Sequence, residues 1–465
     1  MVLAQTPRMH SASTQSSSTT DTDSPVSITD DWTCPFCPLL CDDIAAHIDT
    51  RDAVSAPDVD CPRLRAALIQ CGVGDSGALP SIDGNAVDLD AALSRAADLL
   101  AQSRRPLFSG LCMDIAAARA LYPLAAACGA VLDHLHGDTL AASTLALQDR
   151  GAFFTTLSEA RSRADLIIVI GCRPSARYPR VYERLFSGNG QKRKVCFVGC
   201  ETDPAISTSH ISQASQPSHA STECETLATH ANLFDLLASW SMLLDGRRVD
   251  KLIEPELVRL NAAIDAARYT AFVYEPATFP GSQAALLIEA LNRIIKAVNR
   301  TTRAGGLALG GDDGALSVNQ TITWLSGFPL RTRVARAARP ADQPPLEYDP
   351  YRYATARMLA AHESDALLWV SSFGAQPLPS SLDADVPAII LGHPAMSAGA
   401  SGGRAAPTVY IPVATPGVDS DGHLFRLDAS VVAPLRAARA TALPTVARVA
   451  ALLAGRVESA LRGPQ

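Results

Sequence analysis

Residues Ala164–Cys172, Ala-Asp-Leu-Ile-Ile-Val-Ile-Gly-Cys, constrain the fold more than any other stretch. A strand with one face in water alternates apolar and polar residues. A continuous apolar run of this length is buried on both faces, which in a globular protein means a parallel sheet covered by helices. Shorter runs of the same kind recur at Pro106–Leu111, Gly129–Asp133, Lys194–Gly199, Gly306–Leu309, Ala366–Ser371, Val386–Gly392 and Thr408–Val413. Between them lie Ala- and Leu-rich segments. Ile115–Cys128 reads as an amphipathic helix, and His230–Arg300 reads as helical throughout, with Leu, Ile and Ala at i, i+3, i+4 spacing. Strands separated by helices imply βαβ units, a mostly parallel sheet and an α/β fold. Loops are expected at the Pro-, Gly- and Ser-rich breaks Thr202–Thr222, Ala337–Pro345 and Ser397–Pro407.

A chain of 465 residues is long enough for two or three domains. The expected division is a Ser/Thr-rich tail at 1–31, a short Cys-rich module at 32–80, a first α/β domain at 81–235 and a second at 236–465 with C-terminal strands. The tail lacks an apolar core segment, so it does not read as a secretory signal. Its composition cannot offset the entropy of ordering, so disorder is expected. No uninterrupted apolar run reaches 18 residues, which argues against a membrane span. The net charge of −7 argues against nucleic acid or an anionic membrane as the main partner. The cytoplasm is the expected location.

Eleven cysteines, an odd number unevenly spread, do not read as a disulfide framework. Four of them, Cys34, Cys37, Cys41 and Cys61, form C-x2-C-x3-C-x19-C. Soft thiolates at this spacing suit a metal that prefers sulfur, so three readings stand open: an iron–sulfur cluster of the [4Fe–4S] type, a structural zinc, or thiols that bind nothing. Arg63, two residues after Cys61, would tune a cluster if it pointed inward, although a solvated surface arginine is the blander expectation. The remaining cysteines sit in apolar or small-residue surroundings, as buried free thiols do.

Other candidates weigh less. His134-x-His136 after a strand is how amidohydrolases begin a binuclear zinc site. That fold also needs a lysine or other bridging ligand and further histidines at later strand ends. Here there are four lysines, and the later histidines sit mostly in expected turns. Asp42-Asp43 reads as a helix start favoured by the dipole rather than as an acid–base pair. Gly310-Gly311 and Gly402-Gly403 lie outside any phosphate-loop pattern, so turns are expected there. Ser397–Arg404 reads as a flexible loop.

Cys34-Pro-Phe-Cys-Pro-Leu-Leu-Cys-Asp-Asp-Ile44 resembles the N-terminal cluster motif of the B subunit of formylmethanofuran dehydrogenase, a family within the molybdopterin and tungstopterin oxidoreductases. The resemblance continues in order through Phe108–His134, Thr156–Pro174 with Tyr178-Pro-Arg180, Gly310–Gly314 with Asn319-Gln320, Trp324 and Gly327–Pro329, then Glu347–Pro350, Asp365–Val370, and Ile411-Pro412 with Asp421–Asp428. It implies Rossmann-like parallel sheets of the molybdopterin oxidoreductase type, preceded by a small Cys-rich module that carries a cluster.

One departure decides what the resemblance implies for function. In active members of the family, a cysteine or selenocysteine in a Cys-His-Gly-Pro-type turn binds tungsten or molybdenum. This chain has Leu135 at that position, with the His-Gly pair kept as His136-Gly137. A hydrocarbon side chain has no lone pair to give a metal, so the tungsten or molybdenum pterin is expected to be absent. Pro38, where relatives often have glycine, removes an N–H that could bond a cluster sulfur. Such degeneration resembles the bacterial formyltransferase/hydrolase complex of one-carbon metabolism. That likeness implies a non-redox scaffold subunit partnered by amidohydrolase and formyltransferase subunits, with a methanofuran-type carrier nearby. The competing expectations are an active metal–pterin oxidoreductase subunit, with another group such as Cys112 standing in for the lost thiolate, and a module that uses only the Cys34–Cys61 site.

Overall fold

The computed structural model describes residues 27–73, 77–186, 193–208, 222–337, 343–397 and 404–462. The expected tail up to Val26 and the second glycine pair, Gly402-Gly403, lie outside the described residues.

The N-terminal module is a small antiparallel sheet of β1 (Ser27–Trp32), β2 (Ile44–Ile48) and β3 (Val54–Ser55). The tail expected to run to Asp31 therefore ends earlier, because Ser27–Trp32 pairs with Ile44–Ile48. The indole of Trp32 is fully buried and its Nε1 donates to Gly417 O at 2.7 Å, so this module is fastened to the far end of the chain.

Two larger sheets follow. Along the chain come β4 (Ser81–Ile82), β5 (Asn85–Ala86), β6 (Pro106–Cys112), β7 (Val131–Leu132), β8 (Leu166–Ile170), β9 (Lys194–Val198), β10 (Glu223–Leu227), β11 (Thr270–Tyr274), β12 (Ala304–Ala308), β13 (Thr332–Val334), β14 (Leu346–Tyr348), β15 (Ala366–Ser371), β16 (Ala388–Gly392) and β17 (Thr408–Pro412), with a closing hairpin of β18 (Gly422–Phe425) and β19 (Val432–Leu435). The five-stranded sheet is wholly parallel, in the order β10-β9-β8-β11-β12. The chain winds outward from β8 in one direction, then returns to wind in the other, the doubly wound Rossmann-like arrangement expected of the α/β pattern. The nine-stranded sheet has the order β14-β13-β7-β6-β15-β16-β17-β4-β5, parallel at its centre and antiparallel at both edges.

Every residue of β6, β8, β11, β15 and β16 is buried, which is the physical meaning of their unbroken apolar runs. The helices Leu89–Gln102, Ile115–Cys128 and Val446–Arg462 pack with the nine-stranded sheet in one core. The helices Leu233–Leu244, Glu254–Ala266 and Ala284–Val298 cover the five-stranded one.

Three expectations are corrected. His230–Arg300 is not helical throughout: Thr-Ala-Phe-Val-Tyr274 forms β11 inside the parallel sheet between β8 and β12, its aromatic and β-branched residues filling a slot closed on both faces. Thr202–Thr222 is not wholly loop, since Ala205–Thr208 makes one helical turn. The chain also does not change sheets at residue 235. β11 and β12 complete the sheet begun by β8–β10, and β13–β17 rejoin β6 and β7, because the hydrogen-bonding edges they fill were left open earlier in the chain.

Candidate functional site at the seam between the sheets

Ligands of doubly wound sheets sit beyond the carboxyl ends of the strands. Here the carboxyl ends of β6 and β7 meet the loop that follows β12, and the cysteine loop closes the same region.

After β7 the chain turns through Asp133, His134, Leu135 and His136 into the helix Gly137–Arg150. Leu135 N–H donates to Gly110 O at 2.9 Å, and its side chain is partly exposed. Asp133 is buried beneath the turn. Its carboxylate accepts from Thr355 N–H and Oγ1, both at 2.8 Å, and pairs with the buried Arg331 at 3.3 Å. Burial raises its carboxyl above the usual range despite Arg331. A Cβ on residue 137 would stand 2.1 Å from Asp133 Oδ1, which explains why the turn keeps a glycine there.

His134 is buried. Its Nδ1 accepts the N–H of His136 at 3.0 Å, so the proton sits on Nε2, which faces Asp313 O at 3.3 Å. Burial, with His136 next to it, holds the imidazole neutral down to about 3. His136 Nε2 meets Asp313 Oδ2 at 2.8 Å. Burial pushes the Asp313 carboxyl up, but His136, Arg63 and His134 together bring it below the usual range.

The β12 loop makes this meeting possible. Gly311 and Gly314 have φ of +98° and +78°, and Asp313 itself sits at +53°. A Cβ on residue 314 would lie 2.2 Å from Met113 O, so the backbones touch where the loop crosses the end of β6. The turn expected at Gly310-Gly311 is present, and it presents two aspartates in opposite directions. Asp313 faces the histidines. Asp312, also buried, faces Arg63 at 2.7 Å, Arg177 at 2.7 Å and Tyr178 Oη at 2.9 Å. Arg177 reaches on to the buried Glu275 at 2.6 Å. Arg63 is thus no solvated surface residue, because Asp312, 249 positions away, fixes it inside the seam. Tyr178, Asp312 and Asp313 lie in stretches that carry the family resemblance but were given no role from the sequence, and Arg177 and Glu275 were not singled out at all. The Gly-Gly-Asp-Asp-Gly run after a strand was the available signal, but nothing local revealed the partners.

The cysteine loop lies on the other side of Arg63. Cys34, Cys37, Cys41 and Cys61 line one cavity with Arg63. Cys61 caps the helix Pro62–Cys71. Burial pushes the Cys34 thiol well up and the Cys37 thiol up to about 12, the latter countered in part by Arg63. Burial also raises Cys41, against the pull of Arg184 and Arg180. The loop offers what cluster thiolates use: the N–H of Leu39 lies 3.4 Å from Cys37 Sγ, and Phe36 N–H reaches Cys34. Pro38 supplies no N–H, but its carbonyl accepts from Leu427 N–H at 2.9 Å and anchors the loop. Among the described residues, no three His, Cys, Asp or Glu side chains converge tightly enough for a single metal ion. Four thiols line one cavity, with N–H donors and the guanidinium groups of Arg63, Arg180 and Arg184 beside them, the donor types that iron–sulfur clusters use.

Asp42-Asp43 does not start a helix. The pair precedes β2, and Asp43 pairs with Arg180 at 2.8 Å and with Arg184, while Asp42 meets Arg184 at 3.3 Å. Two charges that resemble a helix cap locally are in fact claimed by arginines more than 130 residues away.

Cys112, the thiol nearest in sequence to the lost ligand position, ends β6 inside an apolar cluster with Leu40, Phe373, Leu424 and Leu435. Its Sγ faces Gly110 O at 3.4 Å, and burial holds the thiol protonated, with its pKa raised well above the ordinary value. The residues at this turn do not fit a pterin-held metal: Leu135 has no donor atom, and Cys112 is sequestered as a neutral thiol.

No protein-family model matches the chain. It is 30% identical over 385 residues, 82% of its length and 97% of the relative's, to the B subunit of the formyltransferase/hydrolase complex Fhc of Methylorubrum extorquens. It is 23% identical over 427 residues, 85% of its length and 90% of the relative's, to the B subunit of tungsten-containing formylmethanofuran dehydrogenase 2 of Methanocaldococcus jannaschii. Among solved structures, the formyltransferase/hydrolase complex of M. extorquens with methylofuran contains a chain that matches with a TM-score of 0.64 and 27% identity, covering 81% of this chain and 98% of that one.

Proposed function

The chain belongs to the B-subunit family of the formyltransferase/hydrolase complex, and we propose that it is the non-redox scaffold subunit of such a complex in one-carbon metabolism. Its partners are an amidohydrolase subunit and a formyltransferase subunit, and a methanofuran-type carrier is handled within the assembly. No described helix is long and apolar enough to cross a membrane. We place the complex in the cytoplasm.

One observation carries the reading. Leu135 stands where the resemblance puts the metal thiolate, and the polar groups around it are engaged with one another. His136 is committed to Asp313, His134 to the Asp313 carbonyl, and Asp133 to Arg331 and Thr355. None of these groups is free to bind tungsten or molybdenum. The likeness to tungsten-containing dehydrogenase subunits at 23% identity favours a redox reading, which would need a donor atom that Leu135 lacks.

Cys34, Cys37, Cys41 and Cys61 are the residues that would hold a [4Fe–4S] cluster, which supplies a one-electron relay when bound. With no redox metal at Leu135, that relay has no acceptor in this subunit, so the role we assign to the thiols is structural.

The test is purification of the native complex with its neighbours, followed by elemental analysis and an assay for formate release from a formylated carrier. The reading expects amidohydrolase and formyltransferase chains, formate release, and neither tungsten nor molybdenum. Stoichiometric pterin-bound metal would overturn it.

A further inference from the structure

At the opposite end of β6 from Leu135, about 20 Å away for a seven-residue strand, lies a cavity of about 310 Å3 whose charge is not explained by the seam. Its walls carry Arg104, Arg105, Arg333 and Arg352 against Glu347 and Glu363, four positive charges to two negative. Just outside lie one further charge of each sign, Arg357, which pairs with Glu363, and Asp365, which accepts from the Arg104 and Arg105 backbone. The chain as a whole carries −7, so a local excess of +2 does not follow from its composition.

The carboxylates are already engaged. Glu347 accepts from Arg333 at 2.8 Å and from Arg352 at 3.1 Å, one carboxylate shared by two guanidinium groups. Glu363 is held by both terminal nitrogens of Arg357, at 2.9 and 2.7 Å. Among the described residues, neither Arg104 nor Arg105 forms an ion pair with a carboxylate, although Arg105 is near enough to Glu363 to help hold its carboxyl below the usual range. Their backbone is nevertheless fixed: Asp365 accepts the N–H of Arg104 at 2.8 Å and of Arg105 at 3.0 Å, and also pairs with Ser103 Oγ. Arg352 is steadied on the face of Tyr353, 5.4 Å from the ring centre. Gathering like charges on anchored elements costs electrostatic energy unless an anion offsets it, and guanidinium forks match planar or tetrahedral oxyanions.

We propose that this cavity binds a small dianion, either a phosphomonoester or a dicarboxylate, between Arg104–Arg105 on one wall and Arg333–Arg352 on the other. The cavity is at the lower end of the size range of small-molecule sites, which suits a compact ligand.

Calorimetric titration of the full chain with inorganic phosphate, and separately with glutarate, at constant ionic strength tests this. Saturable binding of one or both is expected, phosphate alone pointing to a phosphomonoester and glutarate alone to a dicarboxylate. The double variant Arg104→Ser, Arg105→Ser changes only exposed side chains, so it leaves the fold intact by circular dichroism, and it should weaken binding at least about tenfold. No saturable heat with either probe, or affinity unchanged in the double variant, overturns the proposal.

Discussion

His136 Nε2 and Asp313 Oδ2 lie 2.8 Å apart, although 177 residues separate them, and this contact joins the carboxyl edge of the nine-stranded sheet to the loop closing the five-stranded one. Asp313 holds a left-handed backbone conformation that asparagine also tolerates. Asp313→Asn therefore removes charge without adding strain, and it should cost about 1–2 kcal/mol at neutral pH by urea unfolding. The contacts hold the Asp313 carboxyl below the usual range, so its contribution is present above that range and is lost as pH falls through the lowered value. The variant's acid arm should be flatter than that of the parent protein. An unchanged acid arm would show that the pair carries no linked proton.

Two buried histidines set a second pH dependence. Burial holds His134 neutral down to about 3 and His393 down to about 4. Both would be protonated below about 6.5 in the unfolded chain. Their contribution to stability is therefore complete above that pH and declines as acid is added, by up to about 1.4 kcal/mol per pH unit for each group. Urea midpoints between pH 7 and pH 4 check this, and a flat profile would contradict the buried neutral assignment.

Arg177 pairs with two buried carboxylates, Glu275 and Asp312. Arg177→Met keeps most of the side-chain length and leaves both acids without their shared partner, so a loss of roughly 3 kcal/mol is expected. The double variant Arg177→Met, Glu275→Gln should recover part of it, because the charge left unpaired on Glu275 is gone while Asp312 keeps Arg63. Thermal unfolding of the set measures the coupling.

Gly314→Ala combines a φ of +78° with a Cβ 2.2 Å from Met113 O. The backbone penalty alone is roughly 1–2 kcal/mol, and the clash displaces the loop that carries Asp312 and Asp313. A lower Tm together with easier proteolysis near the loop is the expected outcome. Wild-type stability in this variant would mean that the loop can sit elsewhere.

The parallel strands could be read directly because burial on both faces leaves a periodicity signal, as in Leu166–Ile170 and Ala366–Ser371. β11 escaped because five residues embedded between long helical segments do not outweigh them. The Leu135 departure was legible as an alignment of one turn against a known pattern. The seam around it was not. Arg63 and Asp312 each look like ordinary surface charges within ten residues of their own sequence, and what draws them into the seam is a partner more than a hundred positions away. Charge pairing carries no period, so only the three-dimensional arrangement exposes it.

The two sheets are braided along the chain: β4–β7 begin one, β8–β12 make up the other, and β13–β17 return to finish the first. No single cut releases either half whole. Expressing 1–235 or 236–465 alone would yield a broken sheet edge in each fragment, and the first sheet cannot close until the ribosome has released almost the entire polypeptide.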